Sequence, residues 1–193
     1  MTTTIEGTGA RDEFGPTGAD AVINAVQGVV QLDIAADLLQ PSARRLAAGR
    51  VGSFLHGDWL GHALHPMLTD LPIGCWTSSF VLDFIGGRSS RRASTRLIGL
   101  GLLTALPTVA SGAVEWSDID DDRPRRLGVV HAVANGVALA LYFSSWRARH
   151  RGQHLRGVLL GVGGALAATV GGHLGGHLAF VEGIGTGKRQ QAS

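Results

Sequence analysis

Four long apolar segments dominate the second two-thirds of this chain. They run over residues 67–85, 97–114, 127–146 and 157–181. Each approaches the roughly 20 residues that a helix needs to cross a hydrocarbon core about 30 Å thick. Because the linkers between them are short, consecutive segments must run antiparallel. The pattern predicts an all-α integral membrane protein, folded as an up-down four-helix bundle within a membrane domain over residues 55–187.

A different periodicity precedes the four segments. Between Asp20 and Gln40, apolar residues recur at steps of three and four, and polar residues lie on another face. The apolar set is Ile23, Val26, Val30, Ile34 and Leu38. We expect an N-terminal amphipathic helix that ends at Pro41, inside an interfacial segment over residues 19–54. Such a helix lies on the membrane surface, covers the bundle, or packs as a soluble helix on a partner.

The two ends of the chain have a different composition again. Residues 1–18 are rich in threonine, glycine and charged residues, which is typical of disorder. Residues 188–193 are polar and form a short tail in this interpretation.

Composition agrees with a membrane protein. The 193 residues are 45% hydrophobic and 17% charged, with 29 glycines, whereas a soluble domain carries about 25% charged residues. The fourth segment repeats small residues at steps of four, which favours close helix packing and allows a homo-oligomer through this segment. The net charge of +2 does not indicate a nucleic acid partner, because the arginines cluster in short loops beside apolar segments.

The loops predict an orientation. Those after the first and third segments are rich in arginine, whereas the loop after the second is acidic. The basic residues are Arg88, Arg91, Arg92 and Arg96 in one loop, and Arg147, Arg149, Arg151 and Arg156 in the other. Because cytoplasmic loops carry an excess of basic residues, these two loops should face the cytoplasm. We therefore expect a multi-pass protein of the plasma membrane with both termini outside.

Histidines gather at one end of this predicted bundle. The first and third segments begin at the outer surface, near His62, His65 and His131, and the fourth ends there, near His173 and His177. Ionisable residues are costly at membrane depth and usually have a task there, and imidazole is the commonest side-chain metal ligand. The sequence predicts a cofactor or metal site at the outer end, carried mainly by His65, His131, His173 and His177.

Haem b is the cofactor that this pattern favours. It needs one or two neutral imidazoles from facing helices and no cysteine. The single cysteine, Cys75, excludes an internal Cys-x-x-Cys-His haem attachment and a four-cysteine iron–sulfur cluster. We therefore predict a membrane-embedded haem b electron-transfer protein whose partners are the lipid bilayer and a quinol.

Two alternatives stay open. In one, the same four histidines, together with His62 and the carboxylates Asp70 and Glu115, bind or transport zinc, copper or iron. In the other, the histidines are interfacial polar residues of a structural or partner-binding subunit without a cofactor. An enzymatic role has no support, because the sequence lacks a phosphate loop, a nucleophile elbow and a His-Glu-x-x-His motif.

One stretch resembles a known family. The run Gly61-His62-Ala63-Leu64-His65-Pro66, followed by Pro72-Ile73-Gly74, is similar to the opening of domain-of-unknown-function family 2231. The similarity extends to Val130-His131-Ala132 and Gly172-His173-Leu174. The resemblance implies a four-span protein of the bacterial inner membrane. Some members are fused to a Rieske domain, which implies membrane electron transfer and a Rieske-type redox partner by association only.

Overall fold

The computed structural model describes residues 18–185, and within them the chain is helical with no β-strand. The helices are α1 (Gly18–Gln27), α2 (Leu32–Ala47), α3 (Gly49–His56), α4 (His65–Ile85), α5 (Arg91–Ser117), α6 (Asp122–His150) and α7 (His154–Phe180), with a short 3-10 helix at Asp58–Leu60. The predicted disorder of residues 1–17 and the predicted tail of residues 188–193 lie outside the described part. The all-α fold class is confirmed.

Four of these helices form the predicted up-down bundle. Helices α4 and α5 pack as one antiparallel hairpin, and α6 and α7 pack as a second. Helix α5 then contacts α6, and α4 contacts α7, which closes the ring of four. Local signals fix the ends: Pro66 occupies the first turn of α4, where its missing N–H costs nothing. At the start of α6, the Asp121 side chain caps the N–H of Arg123.

Among the described residues, three helices are long and apolar enough to cross a membrane, namely α5, α6 and α7. Helix α4 covers the first predicted span, but it is not one of these three. It carries Asp70, Asp83 and the internal Pro72, which lower its apolar character. The bent pair of α1 and α2 qualifies only if the two helices are counted as one span.

The bundle buries several polar side chains beside its apolar core, and large apolar side chains are exposed on its outside. Four serines on α4, α5 and α6 are fully buried between the helices: Ser79, Ser94, Ser111 and Ser145. Large apolar residues such as Leu103, Leu106 and Leu166 are exposed. Polar groups turned inward and an apolar outer surface are typical of helices that a bilayer surrounds.

Helices α1 to α3 form a collar at the end of the bundle where α4 and α6 begin. Ile23 of α1 packs against Leu127, Leu174 and Leu178, and Gln27 donates to Glu182 over 2.7 Å. The single helix predicted between Asp20 and Gln40 is wrong in detail. The chain turns after Gln27, so that α1 and α2 meet at 72°, and α2 continues through Pro41. Glycine at position 28 lowers the cost of interrupting the helix.

Ion pairs fasten this collar to α6. Both carboxylate oxygens of Asp33 accept hydrogen bonds of 2.7 Å from Arg126, and Asp37 accepts one of 3.0 Å from Arg125. The hydrogen bonds from Arg126 hold the pKa of Asp33 below its ordinary value. Because that pKa is lowered, the pair stabilises the collar at every pH above about 4, and this contribution is lost as the pH falls through the lowered value.

We expect Asp33→Asn to loosen the collar at neutral pH, because the substitution removes the charge that Arg126 binds. The α1–α2 turn should then be cleaved faster in limited proteolysis, and wild-type protein should show the same acceleration only at acid pH. Asp120→Asn is the matched control, since Asp120 and Arg44 are largely exposed and 3.8 Å apart, and such pairs contribute little. Equal cleavage rates for both variants would contradict the assigned role of Asp33.

Candidate functional site

His65, the first residue of α4, is held by α5. Its Nδ1 lies 2.8 Å from the carbonyl oxygen of Thr108, which requires the ring proton to be on Nδ1 and leaves the lone pair on Nε2. Its backbone N–H donates to Oε1 of Glu115 over 3.2 Å. Glu115 is buried, so this carboxylate caps the start of α4 in the interior of the protein.

His131 is held in the same way by the second hairpin. Its Nδ1 lies 2.8 Å from the carbonyl oxygen of Gly171 on α7, so Nε2 again carries the lone pair. The amide nitrogen of Asn135 donates to the His131 carbonyl over 3.0 Å and lies 3.3 Å from Nε2 of the ring. A backbone carbonyl on Nδ1 is the usual support of a histidine that binds metal through Nε2.

The two imidazoles lie close together on different hairpins. Their ring centres are 6.5 Å apart, and their planes are nearly perpendicular, at 80°. Each ring also lies directly against a glycine of its partner helix. A Cβ atom at Gly112 would be 2.8 Å from Cε1 of His65, and one at Gly175 would be 2.7 Å from Cε1 of His131. These glycines are required for the rings to reach their carbonyl partners.

We expect Gly175→Ala to displace the His131 ring and lower the thermal stability of the detergent-solubilised protein by a few degrees. The added methyl group would stand closer to the ring than real contacts allow. Gly176→Ala is the matched control, because a Cβ at that position on α7 meets nothing within 4 Å. Alanine favours a helix by about 1 kcal/mol over glycine, so the control should be neutral or slightly stabilised. A Gly175→Ala protein as stable as the control would contradict the packing described.

Of the other predicted site residues, Glu115 contacts the backbone of His65, and the rest lie apart from the pair. His62, Asp70 and His173 are exposed, and Nε2 of His177 lies 3.5 Å from Glu182. Within residues 18–185, no group of three or more histidine, cysteine, aspartate or glutamate side chains could hold a metal ion together. Of the four principal histidines, the structure therefore brings together His65 and His131.

The two hairpins form an internal repeat, with matching residues at equivalent positions. The residues His65, Trp76, Ser79 and Asp83 of α4 match His131, Tyr142, Ser145 and Arg149 of α6, always 66 positions later. The matched residues make matching contacts. Ser79 donates to the carbonyl of Ser94, and Ser145 donates to that of Gly157. The sequence interpretation missed this repeat, although its spacing is visible in the chain.

Two further pairs lie below the histidines along the bundle. Trp76 and Tyr142 stack with ring centres 4.0 Å apart. At the far end, Arg149 donates two hydrogen bonds to Asp83, of 2.8 and 2.6 Å, between side chains that are 1% and 4% exposed. Arg149 also donates to Ser94 and Ser145. The sequence interpretation had assigned Arg149 to a cytoplasmic loop, whereas it lies on α6 and joins the two hairpins in the interior.

The fold and this paired interior define a helical membrane protein with two opposed histidines at one end of a four-helix bundle. Over residues 61–188 the chain matches the family described as a predicted membrane protein (DUF2231). The match covers well over half of the chain, and the chain belongs to this family. No curated protein and no solved structure matches the chain.

Proposed function

We propose that this protein binds haem b through His65 and His131 and carries electrons in the membrane. The observation that supports the proposal most strongly is the proximity of two imidazoles, each anchored at Nδ1 by a backbone carbonyl. Both rings present a lone pair on Nε2, which is the atom that binds iron in such an arrangement.

The distance between the rings supports two ligands on one metal. Metal–nitrogen bonds are about 2.0–2.1 Å long, so two imidazoles could hold the same metal ion only if their rings lie close together. The observed separation of the ring centres is 6.5 Å. The two histidines also occupy equivalent positions of the repeated hairpin, so neither is the better candidate.

The number of protein donors favours haem over a small metal ion. Zinc, copper and iron sites built from protein alone usually take three or four side chains. In the described part of the chain, no group of three or more histidine, cysteine, aspartate or glutamate side chains could hold a metal ion. A porphyrin supplies four nitrogen ligands of its own, so two imidazoles complete the coordination of its iron.

Bound haem would supply one-electron transfer between ferric and ferrous iron. The residues of this chain would set the orientation and the basicity of the haem ligands. The carbonyls of Thr108 and Gly171 hold the ring orientation and raise the basicity of both imidazoles. The apolar helices exclude water. We propose a quinol or a Rieske-type protein as the redox partner and the bacterial plasma membrane as the location, with the histidine pair near the outer surface.

The optical spectrum of the detergent-purified protein tests the proposal. Expression with added haem should give a Soret band and one haem per chain. Elemental analysis of the same sample distinguishes the alternative. One equivalent of zinc, copper or iron per chain, without porphyrin, would support a small metal site and contradict haem binding. If the purified protein contains neither haem nor metal, the remaining interpretation is a structural subunit without a cofactor.

A further inference from the structure

Helix α2 turns large apolar residues away from the bundle. Its face towards the bundle carries the buried Ala36, Gln40 and Ala43, and Asp33 and Gln40 bind α6 and the α5–α6 turn. The opposite face carries Ile34 and Leu38, which are 75% and 77% exposed. A helix that covers the end of a bundle in water would place these residues the other way round.

The exposure of Ile34 and Leu38 indicates what surrounds the outer face of α2. A surface helix in water turns its apolar residues inward, whereas a helix in lipid turns its polar residues inward. Leu39 and Leu46 extend the apolar face of α2, and both are exposed. Together, α1 and α2 have the length and apolar composition of a membrane segment, although they meet at 72°.

The position of α2 and its neighbouring basic residues also indicate that lipid surrounds its outer face. Helix α2 packs against α5 and α6, whose outward side chains form the lipid-facing surface of the bundle. Gln40 donates to the carbonyl of Ile119, just beyond the end of α5, which places α2 at the level where the spans end. Arg45 lies on the outward side, and Arg50 follows on α3, both exposed. Long basic side chains at this depth reach the phosphates of lipid headgroups.

We propose that the outer face of α2, formed by Ile34, Leu38, Leu39 and Leu46, inserts into the acyl-chain boundary of the membrane leaflet at the histidine end of the bundle. The collar is then a lipid-embedded segment and not an aqueous cover. Its carboxylates bind the arginines of α6, and its leucines and isoleucine contact lipid. This proposal does not depend on haem.

Spin labels test the surroundings of this face directly. Cys75 is the single cysteine, so Cys75→Ala gives a background in which Ile34→Cys and Leu38→Cys can be labelled one at a time. The labelled proteins are reconstituted in vesicles of phosphatidylcholine and phosphatidylglycerol. Collision rates are then measured with oxygen, which partitions into lipid, and with a water-soluble nickel chelate.

Two control positions calibrate the measurement. Leu103→Cys lies in the middle of α5 on its exposed side and reports lipid, whereas Ser89→Cys lies in the exposed α4–α5 turn and reports water. We expect labels at 34 and 38 to behave like the label at 103, with high oxygen and low nickel accessibility. Accessibility like that at 89 would place the face in water and overturn the proposal. Low accessibility to both reagents would show a protein partner, such as a second copy, and would overturn it equally.

Discussion

Replacing Arg149 with leucine is expected to lower the free energy of unfolding by about 3–5 kcal/mol, because it removes the bidentate partner of a buried carboxylate. Asp83 would lose both hydrogen bonds from the guanidinium. Since the pair joins the last turns of α4 and α6, the hairpins should separate more easily. Thermal unfolding followed by circular dichroism in detergent should show a midpoint lower by about 10 °C.

Two further variants separate the ion pair from a general effect of substitution. Arg147→Leu changes an exposed arginine on the same helix and should leave the midpoint within about 2 °C of wild type. Asp83→Asn combined with Arg149→Leu should be less destabilised than the sum of the two single variants, because the second change removes the unpaired charge. Additive losses would mean that the two side chains act independently, against the geometry described.

Replacing either His65 or His131 with alanine is expected to abolish or strongly reduce haem binding. Each variant removes one of two equivalent ligands and leaves a cavity beside Gly112 or Gly175. Haem content per chain, measured after extraction of the pigment from purified protein, should fall at least about tenfold, in line with the loss of a metal ligand or its support. Both variants should fall to a similar extent, because the two hairpins repeat one plan.

His173→Ala is the matched control for these two substitutions. His173 is on α7, close in sequence to the residues that contact His131, but its side chain is exposed. We expect wild-type haem content for this variant. If His173→Ala lost haem and His131→Ala retained it, His173 and not His131 would be the haem ligand.

The architecture could be predicted from the sequence because long apolar runs and short linkers leave few arrangements. All four predicted segments became helices of the bundle. The prediction of one N-terminal helix was less accurate, since its regular periodicity continues across the break after Gln27. A sequence pattern records which residues share a face, and it does not record where a glycine allows the chain to turn.

The histidine pair was only partly predictable. Depth along the bundle follows from topology, so His65 and His131 could be placed at one end. Whether a histidine points inward depends on the rotation of its helix, which the partner helices decide. His173 shares the level of the others but is exposed on α7.

The repeat was the strongest signal that the sequence interpretation overlooked. Histidine, an aromatic residue, serine and a charged residue recur at the same spacing in α4 and α6. The charged residues have opposite signs, and they form the buried pair between Asp83 and Arg149. When the chain is aligned with itself at an offset of 66 residues, Asp83 and Arg149 fall at equivalent positions of the two hairpins.

The electron paramagnetic resonance spectrum of the oxidised, haem-supplemented protein tests the central claim most directly. Two imidazole ligands should give a low-spin ferric signal from six-coordinate iron. His65→Ala and His131→Ala should remove that signal, whereas His173→Ala should retain it. Absence of haem, or a high-spin signal that neither substitution changes, would contradict the proposal that His65 and His131 hold the haem.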